Sequence, residues 1–98
     1  MAAYVISEVE PLDQELFDRY RTLAQASIAQ YGGRYIVRAA LPEAAEGDWS
    51  AQRRLVIVEF PDMATARRWY ASDDYAEALA ISHRALTRRL LFVEGLDG

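Results

Sequence analysis

The sequence predicts an α+β domain of element order βαββαβ. Three observations carry this. Four short apolar segments alternate with a period of two, two stretches between them repeat apolar residues every three or four positions, and Gly or Pro stands at most boundaries. Residues 3–9 (AYVISEV) alternate and are rich in β-branched types, which suits a strand ended by Pro11. Asp13 can cap a helix of about five turns, on which Leu16, Phe17, Tyr20, Leu23, Ala24, Ser27, Ile28 and Tyr31 share one side. Gly32 and Gly33 stop it, since glycine accepts the left-handed conformation. A second strand occupies 34–41.

Residues 42–52 (PEAAEGDWSAQ) read as an exposed connection, with only Trp49 out of character. The most apolar strand, 53–60 (RRLVIVEF), ends at Pro61-Asp62, which opens a helix carrying Met63, Ala66, Trp69 and Tyr70. Ser72-Asp73-Asp74 interrupts that helix and caps another, with Tyr75, Ala78, Leu79, Ser82 and Leu86 as its buried stripe; residues 88–94 form the last strand. Right-handed crossovers close this order into an antiparallel sheet of order 4-1-3-2 with all helices on one face, the ferredoxin-like arrangement.

Length and composition narrow the function. Ninety-eight residues, 52% of them hydrophobic, suit one core and one domain spanning 1–98. The net charge of -4 and a pI near 4.9 argue against nucleic acid or a membrane surface as partner. There is no Cys, one His, and Arg in place of every Lys, so thiolate chemistry, His-rich metal clusters, a P-loop and a Schiff-base lysine are excluded. No metal or cofactor is expected. The N-terminus has no basic leader or long apolar run, and the expected location is cytoplasmic.

Both sheet faces read as apolar. Val5, Val9, Tyr35, Val37, Val56, Val58 and Phe60 fall on one parity, and Tyr4, Ile6, Ile36, Leu55, Ile57, Leu90 and Phe92 on the other. Helices cover only one face, so the second implies a partner sheet, most simply in a two-fold homodimer burying Ile6, Ile57 and Phe92.

Several segments together resemble the domain of unknown function 1330 family. They are Tyr4-Val5-Ile6, Tyr31-Gly32-Gly33-Arg34-Tyr35, Glu46-Gly47-Asp48-Trp49, Arg54 to Pro61, and Ala66 to Tyr70 with Ser72 and Tyr75. The resemblance implies the dimeric α/β-barrel superfamily, in which two ferredoxin-like protomers pack sheet on sheet. Relatives of that fold include cofactor-free monooxygenases, muconolactone isomerases and haem-binding enzymes, while the family itself has no established activity.

The residues point to a metal-free enzyme acting on a small aromatic or lactone-like molecule, to a non-catalytic small-ligand binder, or to a structural dimer. His83 is the one side chain of a type whose unperturbed pKa lies near neutrality and is the candidate general base, although its place at the edge of the helical stripe also suits a solvent-reaching side chain. Tyr20, Trp69 and Tyr75 are candidate walls of a pocket between helices and sheet, near the helix break; at helical spacing they also suit plain core. Arg38 lacks an obvious carboxylate partner and is the candidate anion-binding group. Its strand parity, however, assigns it to the presumed dimer face. Glu8 is expected to pair with Arg88 and Glu59 with Arg34, cross-strand pairs worth roughly 0.2–1 kcal/mol. Trp49 is expected to pack on the partner protomer.

Overall fold

The computed structural model describes residues 1–96. Seven elements follow in order: β1 (Ala3–Pro11), α1 (Gln14–Gln30), β2 (Arg34–Ala40), β3 (Arg54–Phe60), α2 (Met63–Tyr70), α3 (Asp73–Ala85) and β4 (Leu86–Glu94). The sheet runs β2-β3-β1-β4, every neighbouring pair antiparallel, as the sequence predicts. No helix is long and apolar enough to cross a membrane.

Each helix begins where a side chain satisfies an otherwise unpaired amide. Asp13 accepts from Leu16 N at 3.0 Å, Asp62 from Thr65 N at 2.7 Å, and Ser72 from Tyr75 N at 3.1 Å. Ser72 also donates to Trp69 O at 2.7 Å, so one residue closes α2 and opens α3. Past α1, Gly32 takes φ 72°, and a Cβ on Gly33 would lie 2.7 Å from both Ile28 Cγ2 and Phe60 Cε1. That close approach seats α1 on the sheet.

On the covered face lie Ala3, Val5, Ser7 and Val9 of β1 with Val56, Val58 and Phe60 of β3. α1 and α3 pack side by side over them. Register corrects the assignment of β4. Val5 stands opposite Phe92, Ser7 opposite Leu90, and Val9 opposite Arg88, so Leu90, Phe92 and Arg88 face the helices. The open face carries Leu91 and Val93 instead, beside Ile6 and Ile57. The expected Glu8–Arg88 pair fails for the same reason. Glu8 stands opposite Arg89, which it meets at 2.9 Å, with Arg53 at 3.4 Å on its other side. Arg34 and Glu59 pair as expected, at 2.7 Å.

β2 departs most from simple alternation. One extra residue enters its register between Tyr35 and Val37 and another between Val37 and Ala40. The first places Val37 opposite Ile57 on the open face, correcting the helix-side expectation, and so turns the next residue, Arg38, to the helix side; the second brings Ala40 opposite Leu55 on the open face. At this second bulge Ala39 holds φ 55°, a left-handed conformation that costs a non-glycine residue about 1 kcal/mol. Trp49 is half-buried and donates from Nε1 to Arg53 O at 2.8 Å, closing its own loop.

Two carboxylates tie stability to pH. The hydrogen bond from Arg34 holds Glu59 below the ordinary carboxylate range, and hydrogen bonds from Thr65 do the same for Asp62. Both groups are more acidic folded than unfolded. Their stabilisation is therefore complete above the ordinary carboxylate pKa and is lost as pH falls through the lowered folded-state values. Thermal melts are expected to show Tm falling with pH below that range, and falling less steeply in a Glu59→Gln, Asp62→Asn double variant.

Candidate active site beneath helix α1

Between α1 and the sheet lies an apolar cavity of about 50 Å3. Its floor comes from all four strands, with Val5, Ser7 and Val9 at the centre and Val56, Val58, Leu86 and Leu90 around them. Phe17, Tyr20, Ala24 and Ile28, one apolar stripe of α1, form its roof, and Trp69 closes one wall. Ser7 is the polar member of the buried row of β1 and borders the cavity.

At the β4 end three polar groups converge. Arg88 donates to Tyr20 Oη at 2.6 Å and to Tyr75 Oη at 2.9 Å, and the two phenol oxygens lie 2.7 Å apart. The Arg88 guanidinium also sits 5.3 Å from the Tyr20 ring centroid. Whichever phenol donates to the other, one phenolic proton is left over. Tyr75 is fully buried and only Tyr20 borders the cavity, so donation by Tyr75 leaves the Tyr20 proton directed into it. Burial first, and then the neighbouring Tyr20, push the Tyr75 phenol far above its ordinary value, which keeps it protonated. Burial alone would lower Arg88; the two phenol oxygens outweigh it and raise the guanidinium above its ordinary value. No carboxylate pairs with Arg88 among the described residues. The cluster is thus a half-buried cation, two of its N–H directions occupied by neutral phenols, with charge to spare for an anion.

At the β2 end, Arg38 stacks 4.8 Å from the Tyr35 ring centroid and donates to Gln25 Oε1 on α1. Arg21 lies beside it, 5.0 Å from the Phe17 centroid and paired with Asp18 at 2.9 Å. Burial raises the Tyr35 phenol above its ordinary value.

The predicted site residues divide accordingly. Tyr20, Trp69 and Arg38 line the cavity. Tyr75 stands behind it and acts through its hydroxyl on Tyr20 and Arg88. The indole N–H of Trp69 is committed to Ser27 Oγ at 3.0 Å, so this side chain offers a ligand only its ring. His83, the expected base, is exposed in a separate open depression that it lines with Tyr70, Thr87 and the outer side of Leu86, Arg88 and Leu90, the three residues this depression shares with the cavity. It does not border the cavity. Ser72, Asp73 and Asp74 at the helix break do not border it either. Arg88, Tyr35, Arg21 and Ser7 were not singled out from the sequence as site residues. Among the described residues no three of His, Cys, Asp and Glu stand together as a metal site.

Comparison with known proteins places this geometry. The family model of the domain of unknown function 1330 (DUF1330) matches residues 2–96. The chain belongs to the DUF1330 family. No curated protein matches it. Solved structures similar to this DUF1330 chain include a protein of unknown function from Rhodopseudomonas palustris, with TM-score 0.74, 15% identity, and coverage of 99% of this chain and 84% of that one. SnoaB of Streptomyces nogalater, a cofactor-independent oxygenase, is similar at TM-score 0.67 and 13% identity over 99% and 95% of the two chains. A dimeric protein of unknown function and ferredoxin-like fold from Bacteroides fragilis has TM-score 0.62 and 12% identity over 96% of each chain. At these identities the likeness establishes a shared fold, and DUF1330 chemistry has to be argued from the site.

Proposed function

We propose that this protein is a homodimer whose protomers each bind a small single-ring compound beneath α1, with Arg88 and Tyr20 stabilising a phenolate or enolate oxygen of that compound. The observation that carries the reading is the convergence of a carboxylate-free guanidinium and a pair of phenols with one proton to spare at one end of an otherwise apolar cavity. Donors fixed in advance around a developing anion stabilise it more than water does, because they need no reorganisation. The cavity of about 50 Å3 is smaller than a free ring requires, so the guest is at most one ring and enters as the side chains at the β2 end move aside.

Stabilising a ring compound as its anion prepares it for metal-free oxygenation or isomerisation, and a cofactor-independent oxygenase shares this fold. None of the residues lining the cavity is His, Asp or Glu. The guest must therefore be acidic enough to lose its proton to solvent. That same feature favours a second reading, a binding protein that holds the anion without transforming it.

A homodimer is supported by the open sheet face. Ile36, Leu91 and Val93 remain 47%, 41% and 41% exposed there, beside Ile6 and Ile57, and the Bacteroides fragilis protein of like fold is dimeric.

Calorimetric titration with phenol tests the binding site. Arg88→Gln is expected to weaken binding about 10- to 100-fold, the value of a charge-assisted hydrogen bond. His83→Ala is expected to leave it unchanged. Equal affinity in wild type and Arg88→Gln would contradict the assignment.

A further inference from the structure

Arg38 and Arg21 border two spaces at once. Besides the cavity, they line an open groove at the edge of the sheet with Arg54, Glu10 and Gln52, and Phe17 and Ala39 stand at the boundary between the two. The groove is therefore the outer continuation of the cavity at its β2 end. Its lining is mainly polar where that of the cavity is apolar.

The charges in the groove are unequal. Arg21 is compensated by Asp18. Arg38 is held by the neutral amide of Gln25, and Arg54 by the backbone carbonyl of Ala39 at 3.3 Å. Neither forms an ion pair among the described residues. Set against Glu10, two unpaired guanidiniums leave one net positive charge, which matches a monoanion. Two irregularities of β2 bring both about, since the bulge between Tyr35 and Val37 turns Arg38 to the helix side and the carbonyl of the left-handed Ala39 holds Arg54. Strain of this kind persists where surrounding contacts over-determine it, and it concentrates at functional sites.

We propose that this groove is a carboxylate subsite, so that the ligand is a small ring acid with its phenol or enol oxygen on Arg88 and Tyr20 and its carboxylate on Arg38 and Arg54. The two anchors sit on opposite edge regions of the sheet, because β2 and β4 are separated by three strand spacings, roughly 14 Å between backbones. Arginine side chains reaching inward from both ends leave room for one ring bearing oxygens at opposite positions. The planar guanidinium fork suits a carboxylate, and its placement at the mouth also draws anions toward the cavity.

This inference rests on the proposed binding of a ring oxygen at Arg88, and the two are separated by comparing 4-hydroxybenzoate with its methyl ester. Ester and acid share the phenol; only the acid carries the charge. Wild-type protein is expected to bind the acid at least about tenfold more tightly than the ester. Arg38→Gln and Arg54→Gln, each verified as folded by circular dichroism, are expected to reduce that preference, and Arg54→Gln, at a residue that does not border the cavity, to leave ester affinity as in wild type. Binding of acid and ester with equal affinity would overturn the carboxylate subsite and leave the Arg88 site standing, as would a preference that survives both substitutions. Failure of both compounds to bind wild type would overturn the underlying site and this inference with it.

Discussion

Trp69→Ala is expected to lower the stability of the fold by about 3–5 kcal/mol. Trp69 is only 2% exposed, and its ring lies 5.3 Å from that of Phe60 and 4.3 Å from that of Tyr75, where α2, α3 and the sheet meet. Its indole N–H donates to the buried Ser27 hydroxyl, tying α2 to α1. Truncation removes the ring from the core and merges the space it leaves with the adjoining cavity, so little of that space can collapse. Because domains of this size are stable by about 5–15 kcal/mol, the loss takes a large share of the total. Trp69→Phe keeps most of the ring and loses the N–H, so a smaller effect is expected. Urea unfolding measures both, and a loss below about 1 kcal/mol for the alanine variant would show that the ring is not a structural wall.

Ile57→Asp is expected to convert a dimer of twice 11.1 kDa into a monomer or into insoluble protein. Ile57 stands opposite Ile6 at the centre of the open face, flanked by the Arg34–Glu59 and Arg89–Glu8 pairs. In a two-fold interface one substitution enters twice, burying two unpaired carboxylates. An uncompensated buried charge costs about 3–5 kcal/mol, which corresponds to at least a hundredfold weaker association. Light scattering at micromolar concentration reads the mass directly. A wild-type mass near 11.1 kDa would contradict the dimer, whatever the variant does.

Strand alternation and helix spacing made the element order and the strand order legible, because both depend on local period and on crossover handedness. Side-chain direction near the site was not. In β4, Arg88 and Arg89 are adjacent, as are Leu90 and Leu91, so each parity holds an arginine and apolar residues; only the pairing of Val9 with Arg88 decides which faces the helices. In β2, alternation sends Arg38 to the open face, and the bulge between Tyr35 and Val37 sends it back. Neither bulge leaves a trace in composition: no glycine stands at the first, and at the second the residue that adopts the left-handed conformation is Ala39. His83 attracted attention by its pKa class, yet its neighbours Ser82 and Ala85 are the buried ones on α3 and turn it outward. Tyr20 and Tyr75 were visible as aromatics at helical spacing. That their hydroxyls share one guanidinium depends on the packing of α1 against α3 over β4, a long-range arrangement that neither helix specifies alone.

The central claim, that Arg88 and Tyr20 stabilise a ring anion, is tested most directly by the ionisation of a bound phenol. 4-Nitrophenol reports its own protonation state by absorbance. An apolar cavity alone would desolvate the phenolate and raise its pKa, as burial does for Tyr75. The site described here is expected to do the opposite, lowering the pKa of bound 4-nitrophenol by at least about one unit, with the shift lost in Arg88→Gln. A bound phenol that ionises at the same pH as in free solution, or at a higher one, would contradict the account.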